Sequence, residues 1–255
     1  MLLAIDIGNT NITLGVFQGD KLMATWRIST GVHRMPDEYA VMLLNLLHHR
    51  GIDIVEVKEG AISCVVPPLL STFNELFRKY FDIKPLVVGP GVKTGIRIRT
   101  DNPRDVGADL IANAAGALSL YKGPIIVVGL GTATAIVTVT REGDYLGGAI
   151  APGIGIAAEA LFTRTAALPR VDLVRPKRAI GANTLAAMQS GIIFGYAGLI
   201  DGIVTRIQAE LEEKATVVAT GGYSSIIAKE TTTVDKVNPN LTLIGIKVIH
   251  DMNRE

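Results

Sequence analysis

The sequence predicts an α/β protein made of two similar halves, each a meander-bearing sheet flanked by helices, with a cleft between the halves. Two observations carry this. One order of elements (strand, glycine turn, strand, acidic glycine hairpin, strand) occurs twice at an offset of 123 positions, so that Gly8 falls on Gly131 and Asp6 on Gly129. A period of that size marks duplicated domains, because solenoid repeats are much shorter. The second observation is compositional: of 255 residues, 48% are hydrophobic and only 19% are charged, which supports a large core and excludes a disordered chain. The expected domains are residues 1–118 and 119–255.

Charge and cysteine content narrow the function classes. Twenty-five Lys and Arg against 24 Asp and Glu leave a net charge of +1. A nucleic-acid binder usually carries a basic stripe to neutralise phosphates, so none is expected here. Cys64 is the single cysteine, which removes an internal disulfide and a Cys/His zinc site. With Leu2-Leu3-Ala4-Ile5 running straight into Asp6, no secretory leader is expected, and the chain reads as cytoplasmic. The longest uncharged stretch, 123–140, is broken by Pro124, Gly129 and Gly131 and reads as two buried strands, so no membrane partner is expected.

Element by element, residues 2–6, 12–17 and 21–28 form the first meander, turning at Gly8-Asn9-Thr10-Asn11 and Gln18-Gly19-Asp20. Tyr39, Val41, Met42, Leu44, Leu46 and Leu47 suit a largely buried helix from about Asp37 to Gly51. A strand over 59–66 stops at Pro67-Pro68, an amphipathic helix covers 70–80, and 86–88 is a short strand. A helix runs from about Asp109 to Leu120. The second meander comprises 125–128, 133–139 and 145–150. Helices are then expected at 157–161, 184–208 and 226–230, and a strand at 216–220 ending in Gly221-Gly222.

Chemistry is expected at the glycine turns. In Asp6-Ile7-Gly8-Asn9-Thr10-Asn11, glycine lets the backbone approach a ligand while following amides and hydroxyls donate to phosphate oxygens. Asp6 can hold Mg²⁺ through waters. A single turn of this kind is most simply a hairpin whose Asp and Asn end strands. Its duplication suggests a phosphate clamp instead, with Thr132 as the partner of Asn9. Asp105 and Asp109 each suit a helix N-cap as well as a general base for phosphoryl transfer, and spacing leaves both roles open. His48 and His49 suit the end of a helix dipole, Trp26 and Cys64 a core, and Arg97, Arg99 and Arg104 local pairing with Asp101 and Asp105.

Asp6-x-Gly8-Asn9-Thr10-Asn11, Gly107-Ala108-Asp109, Gly131-Thr132-Ala133-Thr134, Gly147-Gly148, Pro152-Gly153 and Asn183-Thr184 through Gln189-Ser190-Gly191 resemble, in order, the type III pantothenate kinases. The resemblance covers essentially the whole chain. It implies the duplicated actin-like, ribonuclease H-like fold of the acetate and sugar kinase/Hsp70/actin superfamily, with two lobes each holding a mixed sheet flanked by helices, and a homodimer. It implies ATP-dependent phosphorylation of pantothenate to 4′-phosphopantothenate, the first step of coenzyme A biosynthesis. ATP would be bound by Asp6, Ile7, Gly8, Asn9, Thr10, Asn11, Ile12, Thr13 and Thr132. Asp109 would accept the proton, Gly107, Ala108, Asp109 and Leu110 would line the pantothenate site, and Thr184 would contact the substrate. Mg²⁺ at Asp6 and a monovalent cation, K⁺ or NH₄⁺, are implied too.

Three positions depart from that pattern. The family usually has Asp where this chain has Gly129, the cation position; Arg where it has Leu110; and Thr and often Asp where it has Ala135 and Val137. Leucine cannot donate to a carboxylate or phosphate. The alternatives to the pantothenate kinase are therefore a non-catalytic or weakly active nucleotide-binding regulatory paralogue of the same fold, and a different small-molecule kinase or an ATPase of that superfamily.

Overall fold

The computed structural model describes residues 1–254. In chain order the elements are β1 (Leu2–Ile7), β2 (Asn11–Gln18), β3 (Lys21–Ser29), α1 (Pro36–His49), β4 (Glu59–Cys64), α2 (Pro67–Leu76) and β5 (Leu86–Val87). Then come β6 (Arg97–Ile98), α3 (Ala108–Leu120), β7 (Ile125–Leu130), β8 (Ala133–Val139), β9 (Asp144–Pro152), α4 (Ile154–Thr163) and α5 (Thr184–Glu210). The chain closes with β10 (Thr216–Thr220), α6 (Ser224–Ile227), β11 (Lys236–Val237) and α7 (Leu241–Met252).

The chain forms two compact units. A single cut between 118 and 119 does not describe them. The first unit holds residues 1–96 and 102–119 and takes back residues 241–254; the second holds 97–101 and 120–240. The reason is α7, which packs on β1, β2 and β4. It was not expected from the sequence, because Leu-Thr-Leu-Ile-Gly-Ile-Lys-Val-Ile is rich in residues that favour strands and the helix depends on its packing.

The first unit is a five-stranded sheet in the order β3-β2-β1-β4-β5. β2 runs antiparallel to both β1 and β3, while β4 lies parallel to β1 and β5. Strand alternation sends Leu3, Ile5, Ile7, Ile12, Leu14 and Val16 to one face, where they meet Tyr39, Leu43 and Leu47 of α1 and Leu69, Phe73 and Leu76 of α2. Each fully buried side chain of this size contributes about 1.5–3 kcal/mol. On the other face α7 seats Leu243 against Gly15, where a Cβ would stand 2.8 Å from Leu243 Cδ1. α7 in turn crosses α3 backbone to backbone: a Cβ at Gly245 would meet the Ala112 carbonyl oxygen at 1.7 Å, and one at Gly116 the Leu241 carbonyl oxygen at 2.6 Å. Pro67 and Pro68 stop β4 as expected, but they also open α2, where the missing amide hydrogens cost nothing. The helix expected to reach residue 80 leaves α geometry after Leu76 for one π turn, Phe77–Phe81.

The second unit repeats the sheet, in the order β11-β10-β7-β8-β9 with β6 added beside β9. The correspondence reaches an irregularity: β2–β3 shifts register between Val16 and Phe17, and β8–β9 shifts between Thr138 and Val139. The expected apolar run becomes β7 and β8, buried along most of their length. α5 is long and apolar enough to cross a membrane by length and composition. However, its Ile192, Ile193, Tyr196, Ile200 and Val204 pack in the core with Ile126, Val128, Leu130 and Ile136.

Candidate functional site

In the first unit, Asp6 is the second-last residue of β1. It sits between two neighbours in register, Thr13 of β2 and Ser63 of β4. Its side chain therefore leaves the sheet on the face opposite Ile5 and Ile7, and it remains half-buried. Ser63 Oγ donates to Asp6 Oδ1 at 2.9 Å. Burial, then the charge of Asp109, push the Asp6 carboxyl up to about 7, and the Ser63 hydrogen bond opposes them.

β1 then ends in the turn Gly8-Asn9-Thr10, whose last two residues are exposed. Gly8 N donates to the Asn11 carbonyl at 3.1 Å. A Cβ at Gly8 would sit 3.0 Å from that oxygen, so glycine allows the close turn. Thr30, which the sequence reading passed over, fastens the turn from outside: its Oγ1 donates to the Gly8 carbonyl at 2.7 Å and its amide to the Thr10 carbonyl at 3.0 Å. Asn11, Ile12 and Thr13 belong to β2, with Ile12 in the core.

Asp109 lies in the first turn of α3. The helix starts from Gly107, whose carbonyl accepts from the Leu110 and Ile111 amides. Asp109 is thus inside the helix and not its N-cap, although its Oδ1 accepts from the Leu110 amide at 2.9 Å. A Cβ at position 107 would stand 2.5 Å from Asp109 Oδ1, so the glycine makes room for the carboxylate. Burial raises the Asp109 carboxyl as well, against the lowering effect of the helix amides. Ala108 and Leu110 are half-buried beside it. Asp105 closes a 3-10 turn, Pro103–Asp105, and is exposed. The arginines divide: Arg97 and Arg99 both pair with Asp144, at 2.7 and 3.0 Å, and not with Asp101 or Asp105.

In the second unit, Gly131 N donates to the Ala133 carbonyl at 3.1 Å, matching the bond from Gly8 N to Asn11. This turn is one residue shorter, since Leu130 pairs with Thr134 whereas Ile7 pairs with Ile12. Two of the glycine motifs pack against it. A Cβ at Gly153 would meet the Thr132 carbonyl oxygen at 2.0 Å, and one at Gly221, which has φ +95°, would meet the Leu130 carbonyl oxygen at 2.5 Å. Gly147 and Gly148 lie within β9, beside the register shift. Thr184 is exposed at the first position of α5, after Asn183, whose Oδ1 accepts from the Ala186 amide at 2.9 Å. Gln189 and Ser190 have a structural use: they donate to the Asp172 and Ala179 carbonyls and hold the irregular segment before α5.

The counterpart of Thr13–Asp6–Ser63 in this unit is the row Ala135–Gly129–Thr220. It holds no carboxylate. Thr220 is 2% exposed, and its Oγ1 has no hydrogen-bond partner among the described residues. Among the described residues, no cluster of three or more His, Cys, Asp or Glu is arranged to hold a metal. What the first unit offers is smaller: two neighbouring carboxyls, both reluctant to ionise, suited to one hard divalent cation whose other ligands come from waters or phosphates.

The family model described as type III pantothenate kinase matches residues 2–206. A type III pantothenate kinase from Dehalococcoides mccartyi (strain CBDB1) is 51% identical over 253 residues, covering 99% of this chain and 96% of the relative. One from Roseiflexus sp. (strain RS-1) is 53% identical over 254 residues and covers all of both. Among solved structures, a protein described as a Baf family transcriptional activator from Campylobacter jejuni aligns with a TM-score of 0.62 at 19% identity, over 98% of each chain. A ROK family glucokinase from Streptomyces griseus in complex with glucose and AMPPNP aligns with a TM-score of 0.53 at 11% identity, over 96% of this chain and 97% of that one. These structures share the fold, two mixed sheets flanked by helices.

Proposed function

We propose a division of labour among the residues of this chain, which belongs to the type III pantothenate kinase family and phosphorylates pantothenate with ATP. The relatives that span it are kinases, which favours catalysis over a non-catalytic regulatory role. Asp109 is the proton acceptor: the 4′-hydroxyl oxygen of pantothenate attacks the γ-phosphorus, the bond to the bridging oxygen of ADP breaks, and the hydroxyl proton passes to the carboxylate. A carboxyl whose proton affinity has been raised by burial suits a base working near neutrality. Asp6 would hold the nucleotide's Mg²⁺ through waters, and the bound cation would supply positive charge against the phosphates and against the paired carboxyls of Asp6 and Asp109. Ile7 to Thr13 present the phosphate-binding turn, and Thr132 adds a contact to ATP. Gly107, Ala108, Leu110 and Thr184 contact pantothenate. The observation that carries this assignment is the electrostatic coupling of Asp6 to Asp109.

Supporting a homodimer are large apolar side chains left in solvent in the second unit: Ile150 is 74% exposed, Ile156 50% and Phe162 40%. A cytoplasmic location agrees with a free thiol at Cys64. The monovalent cation implied at position 129 does not fit the residues there, since Gly129 has no side chain and its row offers one neutral hydroxyl.

The deciding experiment is ADP release by purified protein with ATP, Mg²⁺ and pantothenate. Release that depends on pantothenate supports the reading. ATP binding without it, or release only with another alcohol, overturns the substrate assignment.

A further inference from the structure

The two sheets correspond strand for strand, and the rows Thr13–Asp6–Ser63 and Ala135–Gly129–Thr220 occupy the same place in each. In the first row a hydroxyl donates to a carboxylate. In the second the hydroxyl remains, buried and unpartnered, and the carboxylate position is a glycine. Nothing in the backbone requires glycine there. Gly129 is not among the positive-φ residues, and an added Cβ would touch only the Ala135 carbonyl oxygen at 3.5 Å, an ordinary contact. Thr134 is also buried without a partner, but it pairs with Leu130 and so points to the other face of the sheet. One neutral hydroxyl cannot offset the desolvation of a cation.

We propose that this protein works without a monovalent cation at its second sheet, and that Gly129 is the residue responsible. Restoring a carboxylate by Gly129→Asp gives Thr220 an acceptor and creates the charge that a cation needs. The proposal rests on the kinase reading for its consequence in turnover but not for its consequence in binding.

The test therefore uses two measurements on the full chain. Melting temperature is recorded with a non-hydrolysable ATP analogue and Mg²⁺ in KCl, NH₄Cl, NaCl and choline chloride at equal ionic strength. The wild type is expected to melt within about 1 °C across the four salts, and Gly129→Asp to rise by roughly 2–10 °C in KCl or NH₄Cl alone. Turnover of the wild type is expected to change less than about twofold between KCl and choline chloride. A K⁺-specific rise in the wild type overturns the proposal, as does K⁺ stimulation of its turnover by about tenfold or more. A folded Gly129→Asp protein with no cation response overturns it too. If Gly129→Asp does not fold, the wild-type salt series decides alone. Absence of ADP release in every salt counts against the kinase reading only, because the melting series still tests the cation.

Discussion

The charge of Asp109, in the first turn of α3, raises the proton affinity of Asp6 on β1. With burial, the larger cause, it brings Asp6 to about 7. Two carboxyls that resist ionising together are a place where the folded chain is held at a cost until a cation or a proton arrives.

That cost has a sign. Asp6 binds its proton more tightly in the folded state than at its ordinary 3.8, so its contribution to stability is full below about 4 and is lost as pH rises through about 7. Asp109 acts in the same direction. Urea unfolding of the ligand-free protein between pH 4 and 8 is expected to show falling stability, by at most about 1.4 kcal/mol per pH unit from Asp6. Asp6→Asn is expected to flatten much of that slope and to unfold at higher urea than the wild type at pH 8. An unchanged slope would mean that Asp6 is already ionised in the folded chain.

Asp109→Asn separates catalysis from folding. Loss of a general base costs roughly 10²–10⁴-fold in kcat. The neutral amide also removes one of the two causes that raise Asp6. Turnover is expected to collapse while the melting temperature holds or rises and the Asp6 carboxyl, followed by ¹³C NMR, titrates at lower pH. Unfolding instead would mark Asp109 as a structural member of the helix start.

Gly107→Ala addresses position alone. The new Cβ would lie 2.5 Å from Asp109 Oδ1, the free end of a side chain that can swing aside. Stability is expected to change little, whereas kcat falls by about tenfold or more because the carboxylate is displaced. Equal loss in KM with kcat unchanged would argue that the glycine serves binding only.

The hydroxyls of the two sheet rows are expected to respond oppositely. Ser63→Ala deletes the 2.9 Å bond to Asp6, so the Asp6 carboxyl titrates above its wild-type value and the acid limb of the pH–rate profile moves up. Thr220→Val removes a buried hydroxyl that has no partner, and a gain of about 1 kcal/mol is expected by urea unfolding. Destabilisation would show that Thr220 Oγ1 is bonded in solution.

Gly245→Ala tests the crossing of α7 on α3. Its Cβ would fall 1.7 Å from a backbone oxygen, which cannot rotate away. Destabilisation of about 3 kcal/mol or more is expected. A near-neutral change would mean that α7 is not seated on α3.

The duplication was legible because strands and tight turns leave local marks: glycine at Gly8 and Gly131, apolar runs of matching length, acidic hairpins. Its finer register was not. The turn after β7 is one residue shorter than that after β1, so the offset of 123 that holds for β7 drops to 122 along β8, and only then do the register shifts at Val16/Phe17 and Thr138/Val139 coincide. Asp6 and Asp109 could be singled out as side chains able to hold a cation or move a proton. Ser63 could not, because no local pattern tells which serine of a neighbouring strand stands opposite a given carboxylate.

By itself, then, the order of residues determined the strands, most helices and the two acidic candidates, since periodicity and turn chemistry act over a few neighbours. Only tertiary packing decided that α7 returns to the first unit, that Ser63 and Asp109 set the proton affinity of Asp6, and that Thr220 is buried with nothing to bond. Those facts depend on burial and on distances between segments remote in the chain, and desolvation and Coulomb forces arise only once such segments have met.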